Sequence, residues 1–473
     1  MKILQNIEPT RVMNFFEDIC AIPHGSGNTE KISNYCLETA KNFGLEAIKD
    51  GMNNVIIKKP ASTGFEDHPT VILQAHLDMV CEKTADCEID FEKDGISIMV
   101  QDDFITANGT TLGGDDGIGV AMILAVLEDK NLAHPPIEAL FTSDEETGMF
   151  GAAALDGSLL SGRKLINIDS EDEGVLTVSC AGGARCEISI PAKKEAYVDP
   201  CYEVIIEGLK GGHSGMKIHK NRYNSNVLMA EFLSQLNLPY CILEIEGGSK
   251  DNAIPARTVA KISTNENLKS VALDFETKKR NKYEPNLKIS VCEIKEDIQG
   301  FSADNSLKIT EFLNSLPNGV QKMSADIKGL VQTSLNFGVL KTKQDGICIT
   351  FSVRSSVNDE KLALLKTLKE LTEKAGGFFE DSSHYPAWEY LKDSKLRQVM
   401  VEQFKALYGR EPIVEAIHAG LECGILSEKL PGLDAVSFGP EMNAIHSPSE
   451  RLSISSVKRS YNYLCKILEN LYS

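Results

Sequence analysis

The chain has 473 residues, of which 42% are apolar and 25% are charged, and its formal net charge is -19. This composition excludes a mostly disordered or fibrous chain, and the length predicts two or three domains. The negative charge is spread along the sequence, which disfavours nucleic acid and anionic membranes as partners. No segment has the apolar length of a signal-peptide core or a transmembrane helix, so we expect a cytoplasmic protein without a membrane partner.

The first third of the sequence alternates short apolar runs with a helical pattern. The runs Val71–His76, Ile137–Thr142 and Leu165–Asp169 predict strands, and Gly117–Leu127 predicts a helix. This order is typical of a layered α/β domain with a mainly parallel sheet. Polar residues stand where each apolar run stops. Because ligands bind beyond the carboxyl ends of such strands, we expect these polar residues to converge.

From about Arg185 the pattern changes to segments rich in β-forming residues, interleaved with helices. The segments Cys201–Glu207 and Gly346–Val353 predict strands, and Lys361–Ala375 predicts a helix. Near Pro386 the helix and strand pattern of the first third returns. We therefore predict a discontinuous catalytic domain, residues 1–184 and 385–473, and an inserted α+β domain, residues 185–384.

Five residues at predicted strand ends or in loops could bind metal. Each residue alone is weak evidence of a metal site. A GGDDG stretch is commonly a turn with a capping aspartate, and adjacent glutamates commonly form a solvated surface. Together, two histidines and three carboxylates are enough for two Zn²⁺ ions that share one carboxylate. These positions are His76, Asp115 or its neighbour Asp116, Glu146 or its neighbour Glu145, Asp169 and His446.

A set of motifs carries a family resemblance along most of the chain. The motifs are Ala75–Met79 (AHLDM), Leu112–Ile118 (LGGDDGI), Ser143–Gly148 (SDEETG), Asn167–Asp169 (NID), Gly211–Gly215 (GGHSG) and Ile445–His446. In this order they resemble the di-zinc family of aminoacylases, carboxypeptidases and dipeptidases. The resemblance implies a layered zinc-peptidase catalytic domain with an inserted lid domain. Relatives often pair through that domain, so a homodimer is expected.

The resemblance also implies how two Zn²⁺ per chain are held, with Co²⁺ or Mn²⁺ as substitutes. His76 and Asp169 would complete one site, Glu146 and His446 the other. Asp115 would bridge the two, although the adjacent Asp116 is an alternative bridge.

Further roles follow from the same resemblance. Asp78 would orient the His76 imidazole, and Glu145 would be the general base that accepts a proton from the attacking water. In the inserted domain, His213 would stabilise the oxyanion of the intermediate and Arg354 would bind the substrate's C-terminal carboxylate. Two weaker candidates for substrate contact are Asn252 and Glu422, the latter as partner of the substrate's amine.

The resulting hypothesis is metal-dependent hydrolysis of small peptides, namely dipeptides, with Xaa-His substrates such as β-alanyl-histidine as candidates. Two alternatives within the family are an N-acyl amino acid deacylase and a tripeptide aminopeptidase. A third, from a different class, is a catalytically silent binding protein on an enzyme fold. The complete set of ligands and the base disfavour this last alternative.

Overall fold

The computed structural model describes residues 2–196, 200–295 and 299–472. The first stretch contains α1 (Thr10–Cys20), α2 (Glu30–Asn42), β1 (Glu46–Lys49), β2 (Val55–Lys59), β3 (Val71–His76), β4 (Ile98–Gln101), β5 (Phe104–Ala107), α3 (Gly114–Glu128), β6 (Ile137–Thr142), α4 (Phe150–Ala154), β7 (Lys164–Asn167) and β8 (Val175–Cys180). The middle stretch contains β9 (Gly182–Pro191), β10 (Lys194–Ala196), β11 (Cys201–Glu207), β12 (Gly212–His213), α5 (Ser225–Leu233), β13 (Tyr240–Gly247), β14 (Ala253–Ile254), β15 (Thr258–Thr264), α6 (Leu268–Lys279), β16 (Lys288–Ile294), β17 (Gln299–Phe301), α7 (Ala303–Ser315), β18 (Gly319–Met323), β19 (Val331–Lys343), β20 (Gly346–Ser355), α8 (Asn358–Lys374) and β21 (Phe378–Tyr385). The last contains α9 (Lys395–Tyr408), β22 (Ile413–Ile417), α10 (Glu422–Lys429), β23 (Asp434–Ser437), β24 (Met442–Asn443), β25 (Arg451–Ser453) and α11 (Ile454–Asn470).

The chain divides into two compact units. Unit 1 comprises residues 1–179, 390–416 and 421–473, and unit 2 comprises residues 180–389 and 417–420. Within the described ranges, no helix combines the length and the apolar character needed to cross a bilayer.

Unit 1 is built on an eight-stranded mixed sheet in the order β1-β2-β6-β3-β7-β23-β8-β22. Its central strands β6, β3, β7 and β23 are parallel to one another, and antiparallel pairs flank them. All six residues of β3 and of β6 are buried, as expected for parallel strands covered on both faces. The predicted α/β class is confirmed.

The register of the central strands brings their carboxyl ends to one edge. His76, the last residue of β3, lies beside Thr142, the last residue of β6. Gln74 of β3 lies beside Asn167, the last residue of β7. The loops that follow β3, β6 and β7 therefore leave the sheet at the same place.

Helix α3 begins at this edge and is buried along nearly its whole length. Such a helix can be apolar all round because it has no solvent-facing side. Asp116 ties the start of the helix to β3: its Oδ1 accepts from the Gly119 N–H at 3.2 Å and its Oδ2 from the His76 N–H at 3.1 Å.

Unit 2 contains a nine-stranded antiparallel sheet, ordered β16-β11-β15-β13-β19-β20-β9-β21, with β18 added beside β19. Its core includes two aromatic pairs, Phe232 with Phe275 and Phe337 with Phe351, whose ring centroids are 5.7 Å and 5.0 Å apart. A separate short ribbon pairs β12 with β14 and sets His213 opposite Ala253.

Two glycines of α3 provide a test of the packing that places Asp116. A Cβ on Gly119 would lie 2.3 Å from Asp116 Oδ1 and 2.6 Å from the Ile168 carbonyl oxygen, whereas a Cβ on Gly117 would lie 3.3 Å from Ile19 Cγ2. We expect Gly119→Ala to lower the free energy of unfolding by about 1–3 kcal/mol, the usual cost of overpacking. Gly117→Ala should cost less, because a side chain can yield where backbone cannot. Urea denaturation of both variants measures this, and equal losses would contradict it.

Candidate metal centre

Two imidazoles and three carboxylates converge at the edge of the sheet where the parallel strands end. His76 Nε2 is 3.0 Å from Asp115 Oδ1 and 3.6 Å from Asp169 Oδ1. His446 Nε2 is 3.2 Å from Asp115 Oδ2 and 2.7 Å from Glu146 Oε1. The five residues predicted to hold metal therefore share one place in unit 1.

The adjacent aspartates at the start of α3 are directed differently. Asp115 presents one oxygen to each histidine, which is the arrangement a bridging carboxylate requires. Asp116 is completely buried, and its oxygens accept main-chain N–H groups of His76 and Gly119. An Asp116 oxygen still lies within 4.8 Å of donor atoms of His76 and Asp169.

The loop after β6 holds the two glutamates, and Asp78 fixes its backbone. Asp78 Oδ1 accepts from the Glu145 N–H at 2.9 Å, and Oδ2 accepts from the Glu146 N–H at 3.2 Å and the Ser26 hydroxyl at 2.7 Å. Donor atoms of His76, Glu145 and Glu146 lie within 4.8 Å of one another. Glu145 thus stands beside the ligand cluster.

The tautomer of His76 follows from its Nδ1 contact. Nδ1 is 2.9 Å from the backbone carbonyl oxygen of Asp78 and 3.5 Å from that residue's carboxylate. A carbonyl oxygen can only accept, so Nδ1 carries a proton and Nε2 is the nitrogen that faces Asp115 and Asp169. Asp78 was predicted to orient this ring, and in the structure its carbonyl oxygen is the nearer partner.

The charges of the cluster shift its titration. Hydrogen bonds that His446 donates to the carboxylates of Asp115 and Glu146 raise the pKa of His446 to about 10. Burial acts to raise the pKa of Asp115, but its hydrogen bonds with His446 and His76 bring it below the usual value. Burial raises the pKa of Glu145 well above its ordinary value.

The donor set fits a pair of divalent transition-metal ions. Imidazole nitrogen and carboxylate oxygen are the ligands that zinc and its neighbours accept. Asp115 and Asp169 expose only 11% of their side chains and Glu146 only 8%, so solvent screens their mutual repulsion weakly. Cations between the imidazoles and the carboxylates would relieve that repulsion.

Glu422 lies deeper in unit 1 than these residues. It is completely buried, and its Oε2 accepts from Gln74 Nε2 at 2.7 Å and Thr142 Oγ1 at 2.6 Å. Its Oε1 has no hydrogen-bond partner among the described residues. Glu422 therefore links β3 to β6 behind the cluster, and its contact with a substrate amine stays a prediction.

Three predicted residues belong to unit 2. His213 Nδ1 accepts from the N–H groups of Gly215 and Met216, both at 3.2 Å, so its proton is on Nε2. Burial and the charge of Arg354 lower the pKa of His213, which favours the neutral ring. Arg354 is 9% exposed and donates from Nη1 to the Tyr385 hydroxyl at 2.9 Å. Asn252 is exposed, and its carbonyl oxygen accepts from the Ser214 N–H.

Comparison with known proteins defines the class of the chain. Residues 72–470 match Peptidase family M20/M25/M40, and the chain belongs to this family. The predictions of a metallopeptidase and of this family are confirmed.

The chain is similar over its full length to individual members of the family. The chain is 36% identical over 482 aligned residues to the cytosol non-specific dipeptidase of Escherichia coli K12, covering 100% of this chain and 99% of that one. It superposes on the crystal structure of an aminoacylhistidine dipeptidase from Vibrio alginolyticus with a TM-score of 0.95 and 36% identity, covering 99% and 98% of the two chains. An aminopeptidase structure from Bacillus cereus shares the fold at 17% identity, with a TM-score of 0.60 and coverage of 99% and 100%.

Sequence reasoning missed two of the carboxylates that hold the backbone around the cluster. Asp116 was predicted only as an alternative bridging ligand. Glu450, which accepts from three N–H groups next to Asp115, was not predicted to have any role. Glu450 carries no local signal, because its hydrogen-bond partners lie 336 to 338 residues earlier in the chain.

Isosteric amides of the two adjacent aspartates should affect metal content differently. Asp115→Asn removes the charge that faces both histidines, so we expect bound metal to fall from two ions per chain to one or fewer. Asp116→Asn places an N–H₂ against one N–H donor, so it should lower stability yet retain metal. Elemental analysis with urea denaturation measures both quantities. Loss of metal from the Asp116 variant alone would exchange the two roles.

Proposed function

We propose that this chain is a di-zinc dipeptidase whose metals are held by His76, Asp115, Glu146, Asp169 and His446. The observation that carries the proposal is the position of the Asp115 carboxylate, which contacts both histidines while a further carboxylate approaches each of them. The full-length likeness to proteins named as dipeptidases supports the substrate class.

Zinc is the proposed metal because the donors are imidazole nitrogens and carboxylates, and Co²⁺ or Mn²⁺ would suit the same donors. When bound, the two ions would polarise the scissile carbonyl and make the attacking water more acidic. His76 would offer Nε2, since its Nδ1–H is committed to the Asp78 carbonyl oxygen.

Glu145 is proposed as the general base. Its carboxylate lies beside donor atoms of His76 and Glu146, while Asp78 fixes its backbone. From there it would accept a proton from the attacking water and return it to the departing amine, a role that contributes about 10² to 10⁴ in rate. Burial raises its pKa and strengthens it as a base.

The neutral His213 is proposed to stabilise the oxyanion that develops on the scissile carbonyl. Its Nδ1 is occupied by two backbone N–H donors, so the Nε2–H is the group available to donate. A single donor of this kind contributes about 2.7 to 4 kcal/mol to transition-state stabilisation.

Arg354 is proposed to bind the C-terminal carboxylate of the substrate. Its Nη1 donates one hydrogen bond to the Tyr385 hydroxyl, and its buried Nε has no hydrogen-bond partner among the described residues. Asn252 and Glu422 are proposed as further substrate contacts.

The relatives also bear on the alternatives. The likeness to an aminopeptidase structure is at 17% identity and concerns the fold alone, so it gives no support to a tripeptide substrate. A silent binding protein is disfavoured because the proposed ligands and base are close together. We further propose Xaa-His dipeptides as substrates, cytoplasmic location and a homodimer, the last testable by analytical ultracentrifugation.

A substrate screen tests the proposed function. Zinc-loaded protein should hydrolyse dipeptides, including β-alanyl-histidine, faster than tripeptides or acetylated amino acids, and chelated protein should hydrolyse none. Preference for acetylated amino acids would indicate a deacylase instead.

Substitution of the two neighbouring glutamates by glutamine should impair the enzyme in different ways. Glu145→Gln keeps the shape but cannot accept a proton, so kcat should fall by at least about 10² with both metals retained. Glu146→Gln replaces an anionic ligand with a neutral one, so zinc content should fall and excess zinc should restore part of the activity. Zinc content and kcat, measured side by side, decide the assignment. The opposite pattern would require the two roles to be exchanged.

Removal of the proposed carboxylate clamp should weaken binding of free-acid dipeptides. Hydrogen bonds to charged groups contribute about 1.5–3 kcal/mol, so Arg354→Ala should raise KM about 10- to 100-fold. Amidated dipeptides should already be poor substrates of the parent enzyme. Arg185→Ala, which removes a half-exposed arginine from the neighbouring strand β9, is the control and should leave KM unchanged. Equal cleavage of amides and free acids would refute the clamp.

A further inference from the structure

Glu450 is a buried carboxylate that holds the backbone leading into Asp115. Only 3% of the residue is exposed. Its Oε2 accepts from the Leu112 N–H at 2.7 Å and the Gly113 N–H at 3.2 Å, and its Oε1 accepts from the Gly114 N–H at 2.8 Å. These are the three consecutive peptide groups before Asp115. The backbone at Asp115 and Asp116 is not helical, so the regular turns of α3 begin only after these residues. An anionic acceptor forms strong hydrogen bonds with such N–H groups.

Glu450 itself belongs to the loop that carries His446. Residues 444–450 connect the paired strands β24 and β25, so His446 and Glu450 share one hairpin loop. The loop is braced by the Ser447 hydroxyl, which donates to the Ala444 carbonyl oxygen at 2.6 Å, and by the Glu450 N–H, which donates to the Ser447 carbonyl oxygen at 3.0 Å.

His446 itself has a left-handed backbone conformation, with φ of 57°. For a residue other than glycine this conformation is strained and persists only where the surroundings hold it. A hairpin loop anchored at Glu450 supplies such a constraint. The carboxylate thus connects the segment that presents Asp115 to the segment that presents His446.

We propose that Glu450 is a positioning residue of the metal centre, which sets Asp115 and His446 at the separation that two metal ions require. This inference rests on the proposed function, since it concerns the same metals. The described contacts assign Glu450 to main-chain groups and not to a metal. Its expected effect is that of a residue supporting the ligands, whose loss typically weakens metal affinity or activity about 10- to 100-fold.

The same unit offers a matched control. Glu138, also 3% exposed, accepts from the N–H groups of Ser161 and Gly162 and from the Ser161 hydroxyl, at 2.9 to 3.1 Å. It belongs to β6, but near the amino end of that strand, away from the loop that carries Glu145 and Glu146. Glu138 and Glu450 are therefore buried carboxylates with similar backbone hydrogen bonds, although Glu138 also lies 3.9 Å from Lys58 Nζ. Of the two, only Glu450 bonds to the segment next to a proposed ligand.

The experiment compares Glu450→Gln with Glu138→Gln in the full-length protein. Urea denaturation of the metal-free proteins measures stability, competition with a chromophoric chelator measures Zn²⁺ affinity, and kcat is measured at saturating Zn²⁺. Both variants should lose comparable stability. Only Glu450→Gln should bind Zn²⁺ about 10- to 100-fold more weakly, with a lower kcat that excess Zn²⁺ does not fully restore.

Unchanged Zn²⁺ affinity and kcat in Glu450→Gln, or equal losses in both variants, would overturn the inference while leaving the proposed function intact. A parent protein that binds no Zn²⁺ would instead refute the proposed function. If Glu450→Gln does not fold, Gly114→Ala decides: its Cβ would lie 3.2 Å from both Glu450 Oε1 and Met442 Sδ, so the carboxylate or the flexible methionine side chain must move slightly. Weaker Zn²⁺ binding by this variant supports the role of Glu450, and parental affinity refutes it.

Discussion

The main constraint on unit 1 is the mutual repulsion of the carboxylates gathered at the ends of its parallel strands. The fold has to overcome this repulsion to keep them together. The carboxylates of Asp115, Glu146 and Asp169 approach two imidazoles and are largely covered from solvent, whereas the His446 side chain is 44% exposed. These carboxylates favour positive charge beside them, as the raised pKa of His446 indicates. Divalent cations held by the same groups would compete with protons, which couples metal binding to proton release. The fold itself must therefore hold the acidic groups close together before divalent cations bind and stabilise them.

Hydrogen bonds from the main chain to a second group of carboxylates provide that support. Asp78 accepts from the backbone of the glutamate pair, Asp116 from the end of β3 and the start of α3, and Glu450 from the loop before Asp115. Each of these side chains is buried, and each is balanced by peptide N–H groups. Peptide groups are fixed by the fold, so the resulting geometry is rigid without adding a competing cation near the proposed ligands.

The convergence of polar residues beyond the parallel strands could be predicted because it depends on local pattern and a general rule, whereas the choice of ligands among them was implied by the family resemblance. Val71–His76 and Ile137–Thr142 are apolar runs of strand length, and both became strands with those bounds. Parallel strands end at one edge, so the polar residues after them had to meet. The supporting contacts depend on pairs of residues far apart in the chain. Nothing near Glu450 indicates that its partners are Leu112 and Gly114, and nothing near His76 indicates that the Asp78 carbonyl oxygen, and not the carboxylate, is its nearer partner.

Neighbouring identical residues show why sequence alone stops short of chemical roles. Asp115 and Asp116 have the same side chain, but one faces two imidazoles and the other faces backbone N–H groups in a fully buried position. Their pKa values accordingly move apart: hydrogen bonds with histidine bring that of Asp115 below its usual value, and burial raises that of Asp116 well above it. Environments that separate the titration of like groups are the means by which one residue type serves different tasks. The direction of a side chain decides that environment, and direction is set by the start of α3 and by the contacts that anchor it.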